Sequence, residues 1–461
     1  MRFSISEEVK SSGLPDIRLE RRFETIVGKL VAQPEASIPQ AMGSWGQSKA
    51  AYRFFASDFV TAEGIRAGCA KSCIERAKRH STVLIIQDTT SLDFTGHLKT
   101  KGLGYLETPK RMGLFVHTAL AATTEGVPLG ILAQDTWARD LEEYGKKHDR
   151  RKRPFEEKES VKWVKMLEAS TTLLRNIKET ITVADSEADI YELFVAEKPA
   201  NAHLLIRSTH NRRVEGQARL LWDTVMQGPV KGQVSVEVGA RDGKPGRTAE
   251  CSVRFQTVTV YPPRNPSPGP RHRHKVTLQA VLVWEEAPPE GVEPLCWLLV
   301  TTLQVENFAD ALRCVGYYRQ RWLVERYHFV LKSGCRIERL QLETAERIER
   351  ALAVYSLVAL RLLWLTHEAR DTPDAPASCV LQEHEWQALY CKIHRTSTPP
   401  PEPPKLREAV RWIAQLGGFL GRKSDGEPGV MVIWRGLRRL EDIADTWLLL
   451  RPPEHAGATS P

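Results

Sequence analysis

Residues 83–90 read VLIIQDTT, four aliphatic side chains followed by Gln87, Asp88 and two threonines. Four such residues in succession predict a strand over about 82–88 that is buried on both faces, as in a sheet covered by helices. A carboxylate at the end of a buried strand is costly unless something cationic meets it there. A strand-end aspartate also serves as a turn former or helix cap. Asp88 therefore acquires meaning only from partners supplied elsewhere in the chain.

Asp185 repeats the arrangement. TITVAD at 180–185 is a second apolar strand ending in a carboxylate, with small or polar residues next. In a mixed sheet, two neighbouring strands bring such ends together. Close carboxylates repel one another unless a cation lies between them. Hard oxygen ligands of this kind suit Mg²⁺ or Mn²⁺, which bridge substrate phosphates.

The elements around these strands predict such a sheet. LFVHTALAATTEGVPLGILAQDTW reads as two strands around a turn at Glu125-Gly126. EEKESVKWVKMLEASTTLL and SEADIYELFVAE read as helices, and HLLIRS at 203–208 as a strand. Three strands, helix, strand, helix, strand is antiparallel pairing followed by parallel crossovers. The predicted fold class is α/β, a ribonuclease-H-like mixed sheet, and that fold keeps a cluster of carboxylates at its strand ends. GQVSVEVG, ECSVRFQTVTVY and KVTLQAVLVWEE predict a β-rich insertion at about 211–293 within a catalytic domain spanning 81–395.

Helical regions flank that domain. Residues 1–80 carry helical periodicity, with DIRLERRFETIVGKLVAQP stopping at Pro34. Arg18, Arg21, Arg22, Lys49 and Arg53 suit a DNA-contacting module, and equally a solvated helical face. TSTPPPEPP at 396–404 predicts a stiff linker. A helical segment at 405–450 and a disordered tail at 451–461 complete the chain. LREAVRWIAQLGGFL presents an apolar face around Val410, Ile413 and Leu416 that needs a partner, in cis or in trans.

Composition narrows the function classes. The 461 residues are 42% hydrophobic and 26% charged, ordinary for a soluble globular protein. No run approaches the ~18 apolar residues of a membrane span, and MRFSISEEVKSSG lacks the apolar core of a secretory signal. Eight scattered cysteines predict reduced thiols in a cytoplasmic protein. A net charge of +8 and a pI near 9.0 fit a polyanion-binding protein. KKHDRRKR at 146–153 and RHRHK at 271–275 concentrate that charge.

A third carboxylate comes from a long helix predicted over about 307–333. Tyr318, Arg321, Glu325 and Lys332 in YYRQRWLVERYHFVLK fall within a stripe about 60° wide at ~100° per residue. The stripe reads as a solvated face with an Arg321–Glu325 pair. As chemistry, it sets one metal ligand between two phosphate-binding cations.

Tyr318-x2-Arg321-x3-Glu325-x6-Lys332 resembles the Tyr-Arg-Glu-Lys signature of bacterial insertion-sequence transposases of family four, the Tn-five-like cut-and-paste enzymes. IIQDTTSLDFTGH and VADSEADIYELF resemble that family's two Asp motifs, and KAAYRFF and CWLLVTT resemble further family segments. The motifs occur in family order over most of the chain, with the β insertion between the second Asp and the Glu. The resemblance implies that Asp88, Asp185 and Glu325 are the catalytic metal-binding triad. It implies that Tyr318, Arg321, Lys332 and Arg207 hold transposon-end phosphates. Trp297 occupies the family position of a tryptophan that stacks on a base flipped from the DNA end.

Ser186 departs from the pattern, standing where close relatives more often carry Arg. The implied activity is two-metal cleavage of transposon ends by nicking, hairpin formation and resolution, then joining of 3′ ends to target DNA. The implied partners are the inverted repeats and target DNA, both double-stranded, and a second protomer in a paired-end complex. Two other readings share these carboxylates: a ribonuclease-H-like nuclease that cuts DNA without joining it, and an inactive relic that represses by occupying transposon ends.

Overall fold

A computed structural model describes residues 5–10, 12–146, 152–239, 246–264, 274–422 and 425–450. Most of the basic run at 146–153, residues 271–273 of the second run and the tail at 451–461 lie outside them. One ten-stranded sheet organises the chain. Its strands are β1 (Thr82–Asp93), β2 (Gly104–Tyr105), β3 (Met112–Ala122), β4 (Pro128–Trp137), β5 (Glu179–Ala184), β6 (Ala202–Arg207), β7 (Gly232–Val238), β8 (Arg247–Val260), β9 (Val276–Trp284) and β10 (Cys296–Thr301). The order is β2-β3-β1-β5-β6-β10-β9-β8-β7, with β4 also paired to β3. Only β1–β5 and β5–β6 are parallel; the other pairings are antiparallel. The sheet is mixed, as a ribonuclease-H-like fold requires. The inserted strands β7, β8 and β9 extend the same sheet through β10.

Both faces of the sheet are covered at β1 and β5, and alternation along β1 assigns residues to each. Leu84 and Ile86 join a core shared with the helices Ile17–Ala32, Phe308–Arg319 and Ala345–Asp371. Val83 and Ile85 face the other way, packing with Ala119, Leu132 and Met166. Asp88 falls on the face of Leu84 and Ile86. On β5, Ile181 and Val183 share that face, so Asp185 follows them onto it. The helix Ala345–Asp371 is buried nearly all round, the pattern of a helix at the centre of a core.

Three sequence expectations need correction. β1 does not end at Asp88. Thr89 and Thr90 are β-competent, and pairing with β3 continues to Asp93 opposite Gly113. Instead β5 stops, so Asp88 lies mid-strand with one edge released. The expected helix over 307–333 is broken into Phe308–Arg319 and Trp322–Phe329, followed by a π-turn at Val330–Gly334. At the break, Arg321 N–H donates to the Tyr318 carbonyl at 3.0 Å and Leu323 N–H to that of Gln320 at 2.9 Å, a tightened i to i−3 turn. SEADIYELFVAE forms a short 3₁₀ turn, Ser186–Ala188, and a single helical turn, Tyr191–Phe194. Asp189 interrupts it by turning inward, where its carboxylate accepts from Ser208, Thr209 and His210.

Near the C-terminus, the helices Leu406–Leu416 and Val430–Leu450 meet backbone to backbone. A Cβ on Gly436 would sit 1.7 Å from the Ile413 carbonyl oxygen, whereas one on Gly28 meets nothing within 4 Å. Gly436→Ala should therefore destabilise by about 1–3 kcal/mol in urea unfolding. Gly28→Ala, in the helix Ile17–Ala32, should stabilise by about 0.5–1 kcal/mol. Equal effects of the two substitutions would mean that the helices do not approach so closely.

Candidate active site

The parallel register of β1 and β5 pairs Ile86 with Val183. Continued two residues, it sets Asp88 beside Asp185 on the same face. Asp185 has extended backbone, and its carboxylate caps the 3₁₀ turn by accepting from Glu187 N–H at 2.9 Å. Its pKa is raised. Burial is the first cause, and the charges of Asp88 and Glu187 push the same way. The Glu187 amide and the Arg321 guanidinium oppose the rise. The two carboxylates thus feel each other's charge in a partly desolvated place.

The helix Trp322–Phe329 packs over β1 and carries Glu325. Arg321, at the helix break, is 7% exposed. Its Nη1 donates to Glu325 Oε1 at 2.5 Å, its guanidinium stacks over the Trp322 ring at 4.6 Å, and its charge also acts on Asp185. One cation therefore serves two of the three expected carboxylates. Its Nε is buried with no hydrogen-bond partner, an orphan donor that an anion or an ordered water would satisfy.

The expected DNA-contacting residues are partly brought together. The Trp297 and Tyr318 rings meet edge to face at 5.2 Å and 68°. Burial pushes the Tyr318 phenol up, while Arg321 and Arg207 pull it back. Arg207 Nη2 lies 3.5 Å from the Cys296 carbonyl, next to Trp297. Lys332 is partly exposed in the π-turn. The break and the π-turn interrupt the single straight stripe.

Two groups were not anticipated from the sequence. His328 Nδ1 lies 3.3 Å from Asp88 Oδ2. Asp189, fully buried, gathers the loop after β6, accepting from Arg212 Nη2 at 2.6 Å and Thr209 N–H at 2.8 Å. Glu325-x-x-His328 places both residues on one turn of helix, a signal the sequence does contain. Asp189 offered none beyond its presence among apolar neighbours.

Among the described residues, no three His, Cys, Asp or Glu side chains converge as a ready metal cage. Each carboxylate holds another partner: His328, the Glu187 amide or Arg321. The donor set nevertheless suits a hard divalent ion. Asp88 and Asp185 are oxygen donors whose mutual repulsion such an ion would relieve.

A mixed sheet with two carboxylates at a parallel strand end, beneath a helix carrying a third, defines a ribonuclease-H-like phosphoryl-transfer enzyme. Three family matches name the branch. Residues 2–60 match Transposase DNA-binding, residues 157–361 match Transposase DDE domain, and residues 357–447 match Transposase Tn5 dimerisation domain. The chain belongs to the Tn5-like transposases of insertion-sequence family four and is a DDE transposase, an enzyme that binds DNA, forms dimers and uses divalent metal. The DDE match includes Asp185 and Glu325, and Asp88 lies before its start. No helix among the described residues is long and apolar enough to cross a membrane.

A raised carboxyl pKa makes ionisation of Asp185 destabilising in the metal-free protein. The cost begins as pH climbs past the ordinary value of 3.8 and is complete above the raised one. Asn preserves the cap. Asp185→Asn should thus raise the melting temperature in EDTA at neutral pH by roughly 1–2 °C, a gain that disappears in acid. An unchanged or lower value at neutral pH would show that Arg321 already neutralises the pair.

Proposed function

We propose that this transposase excises an insertion element from double-stranded DNA and joins its 3′ ends to target DNA, with Asp88, Asp185 and Glu325 holding two Mg²⁺ or Mn²⁺ ions. What supports this reading is the placement of Asp88 and Asp185 in register, under the helix that carries Glu325. The ions would supply Lewis-acid activation of the attacking oxygen and stabilisation of the leaving one. The chain's own task is to hold three carboxylates against repulsion and to seat the scissile phosphate. Arg321, with its orphan Nε, exchanges Glu325 for a DNA phosphate, freeing that carboxylate. Tyr318, Arg207 and Lys332 hold neighbouring phosphates of the transposon end.

One site runs all the steps: first nick, hairpin formation, hairpin resolution and strand transfer. The helical module at 1–80 reads the terminal inverted repeats. The helix Trp45–Ala56 offers it an exposed face, on which Lys49 Nζ lies 4.7 Å from the centre of the exposed Trp45 ring. The catalytic domain spans 81–395 with its insertion at 211–293, and the helices at 405–450 pair two DNA-bound protomers. The enzyme acts in the cytoplasm, on nucleoid DNA.

Asp88→Ala, Asp185→Ala and Glu325→Ala should each cut cleavage of end-containing DNA at least about 100-fold, since each removes metal-held charge at the scissile phosphate. Gel-shift binding of the ends should survive. Wild-type cutting by Glu325→Ala would remove that residue from the triad.

Trp297 is half-buried, with Tyr318 against its edge. A base extruded from the DNA end stacks on such an indole for ~1–3 kcal/mol, and extrusion lets the 3′-OH reach the opposite strand of a tight hairpin. Trp297→Ala should therefore slow hairpin formation about tenfold or more while leaving the first nick largely intact. Parallel loss of both steps, with a lowered melting temperature, would reduce Trp297 to a packing residue.

A further inference from the structure

We propose that His328 is a positioning residue that orients the Asp88 carboxylate for the metal through a directed relay of buried hydrogen bonds. The inference rests on the reading of Asp88 as a metal ligand and adds to it the group that aims this ligand. His328 is 5% exposed, and its Nδ1 lies 3.3 Å from Asp88 Oδ2. Its other nitrogen, Nε2, lies 3.4 Å from Thr118 Oγ1. Thr118 is fully buried and stands directly opposite Asp88 in the β1–β3 register.

The donors and acceptors have one consistent direction. An ionised carboxylate only accepts, so His328 donates from Nδ1 to Asp88. Nε2 of the neutral ring is then an acceptor, and the Thr118 hydroxyl donates to it. That leaves the Thr118 oxygen to accept from Gln134 Nε2, at 3.2 Å. Gln134 Nε2 also donates to the Tyr327 hydroxyl at 3.3 Å, Tyr327 donates to Ser356 Oγ at 2.9 Å, and Ser356 returns to Gln134 Oε1 at 3.3 Å. The ring of Gln134, Tyr327 and Ser356 is buried and anchored on the central helix Ala345–Asp371. The Asp88 carboxylate sets the direction, and the ring satisfies the Gln134 amide in that orientation, so the Nδ1 proton stays aimed at Asp88.

The relay has a geometric consequence. His328 and Glu325 sit on the same helix, three residues apart, while Asp88 sits on β1. The His328–Asp88 contact therefore sets the separation of two of the three metal-binding elements as well as the rotation of one carboxylate. With one Asp88 oxygen held by His328, the other is left for the ion. Outer partners of this type ordinarily govern metal affinity by 10–100-fold.

The test uses the full-length protein and Mn²⁺, with free ion followed by electron paramagnetic resonance and folding checked by thermal melting. The Asn amide nitrogen superposes on imidazole Nδ1, and that of Gln on Nε2. His328→Asn should bind Mn²⁺ within about threefold of wild type. His328→Gln and His328→Leu should bind at least about tenfold more weakly. Thr118→Val, which leaves the ring in place but frees its tautomer, should fall between.

Wild-type Mn²⁺ affinity in His328→Leu would overturn the proposal. So would better binding by Gln than by Asn, or losses in all variants that simply follow the melting temperature. Asp88→Ala separates the two inferences. If it binds Mn²⁺ like wild type, the metal assignment fails and His328 falls with it. If it loses Mn²⁺ while His328→Leu keeps it, only the role of His328 falls.

Discussion

The parallel pairing of β1 with β5 brings Asp88 and Asp185 side by side under a layer of helices, where water is scarce and like charges repel. Three polar groups around them answer that repulsion. Arg321 is buried at a helix break, where its charge reaches Asp185 and its guanidinium binds Glu325. His328 takes one oxygen of Asp88, and the Glu187 amide takes one of Asp185. These partners spread negative charge without removing it, and burial still raises Asp185. An apolar pair at the same positions would pack with less cost. The sheet tolerates the carboxylates because strong pairing on both sides, β3 on one and β6 on the other, holds their strands in register regardless.

The helix that bears Glu325 illustrates how a local irregularity shapes such a site. A continuous helix would fix Tyr318, Arg321, Glu325 and Lys332 on one straight line. The tightened turn at Gln320–Arg321 and the π-turn at Val330–Gly334 divide that line into three pieces. Tyr318 turns toward Trp297, Arg321 reaches Glu325 and the charge of Asp185, and Lys332 lies partly exposed in the π-turn. π-turns recur at functional positions because they re-aim side chains without ending a helix. The spacing of the signature therefore records a bent path over the site.

The sheet was legible in the sequence wherever apolar runs were bounded by turn residues. The strand at VLII, the hairpin around Gly126 and the strand ending at Ala184 all come from such local signals. The extension of β1 past Asp88 was not legible. Thr89, Thr90 and Ser91 are polar and owe their strand state to β3, a partner that local pattern does not reveal. The helix break at Arg321 was hidden for a similar reason, since no Gly or Pro marks it. The aspartates stood out as carboxylates after apolar runs. His328, Thr118 and Gln134 did not, because single polar residues among apolar ones look like any satisfied core group until the fold shows what they touch.

The same face of the sheet that bears the aspartates also supports both flanking regions, which gives the site mechanical neighbours at each end. Arg350, on the central helix, donates to the Phe55 carbonyl at 2.9 Å, gripping the end of the helix Trp45–Ala56 in the DNA-binding module. Glu35, from that module, pairs with Arg336 just past the π-turn at 2.8 Å and accepts from the Trp434 indole of the C-terminal helix Val430–Leu450. One carboxylate thus ties the DNA-binding module, the segment after the π-turn and the dimerisation helices at a single point. Contiguous packing of this kind can transmit a displacement because packed cores shift between discrete arrangements instead of deforming smoothly. The point of contact, Arg336, follows directly on the π-turn that holds Lys332 and on the helix that holds Glu325 and His328.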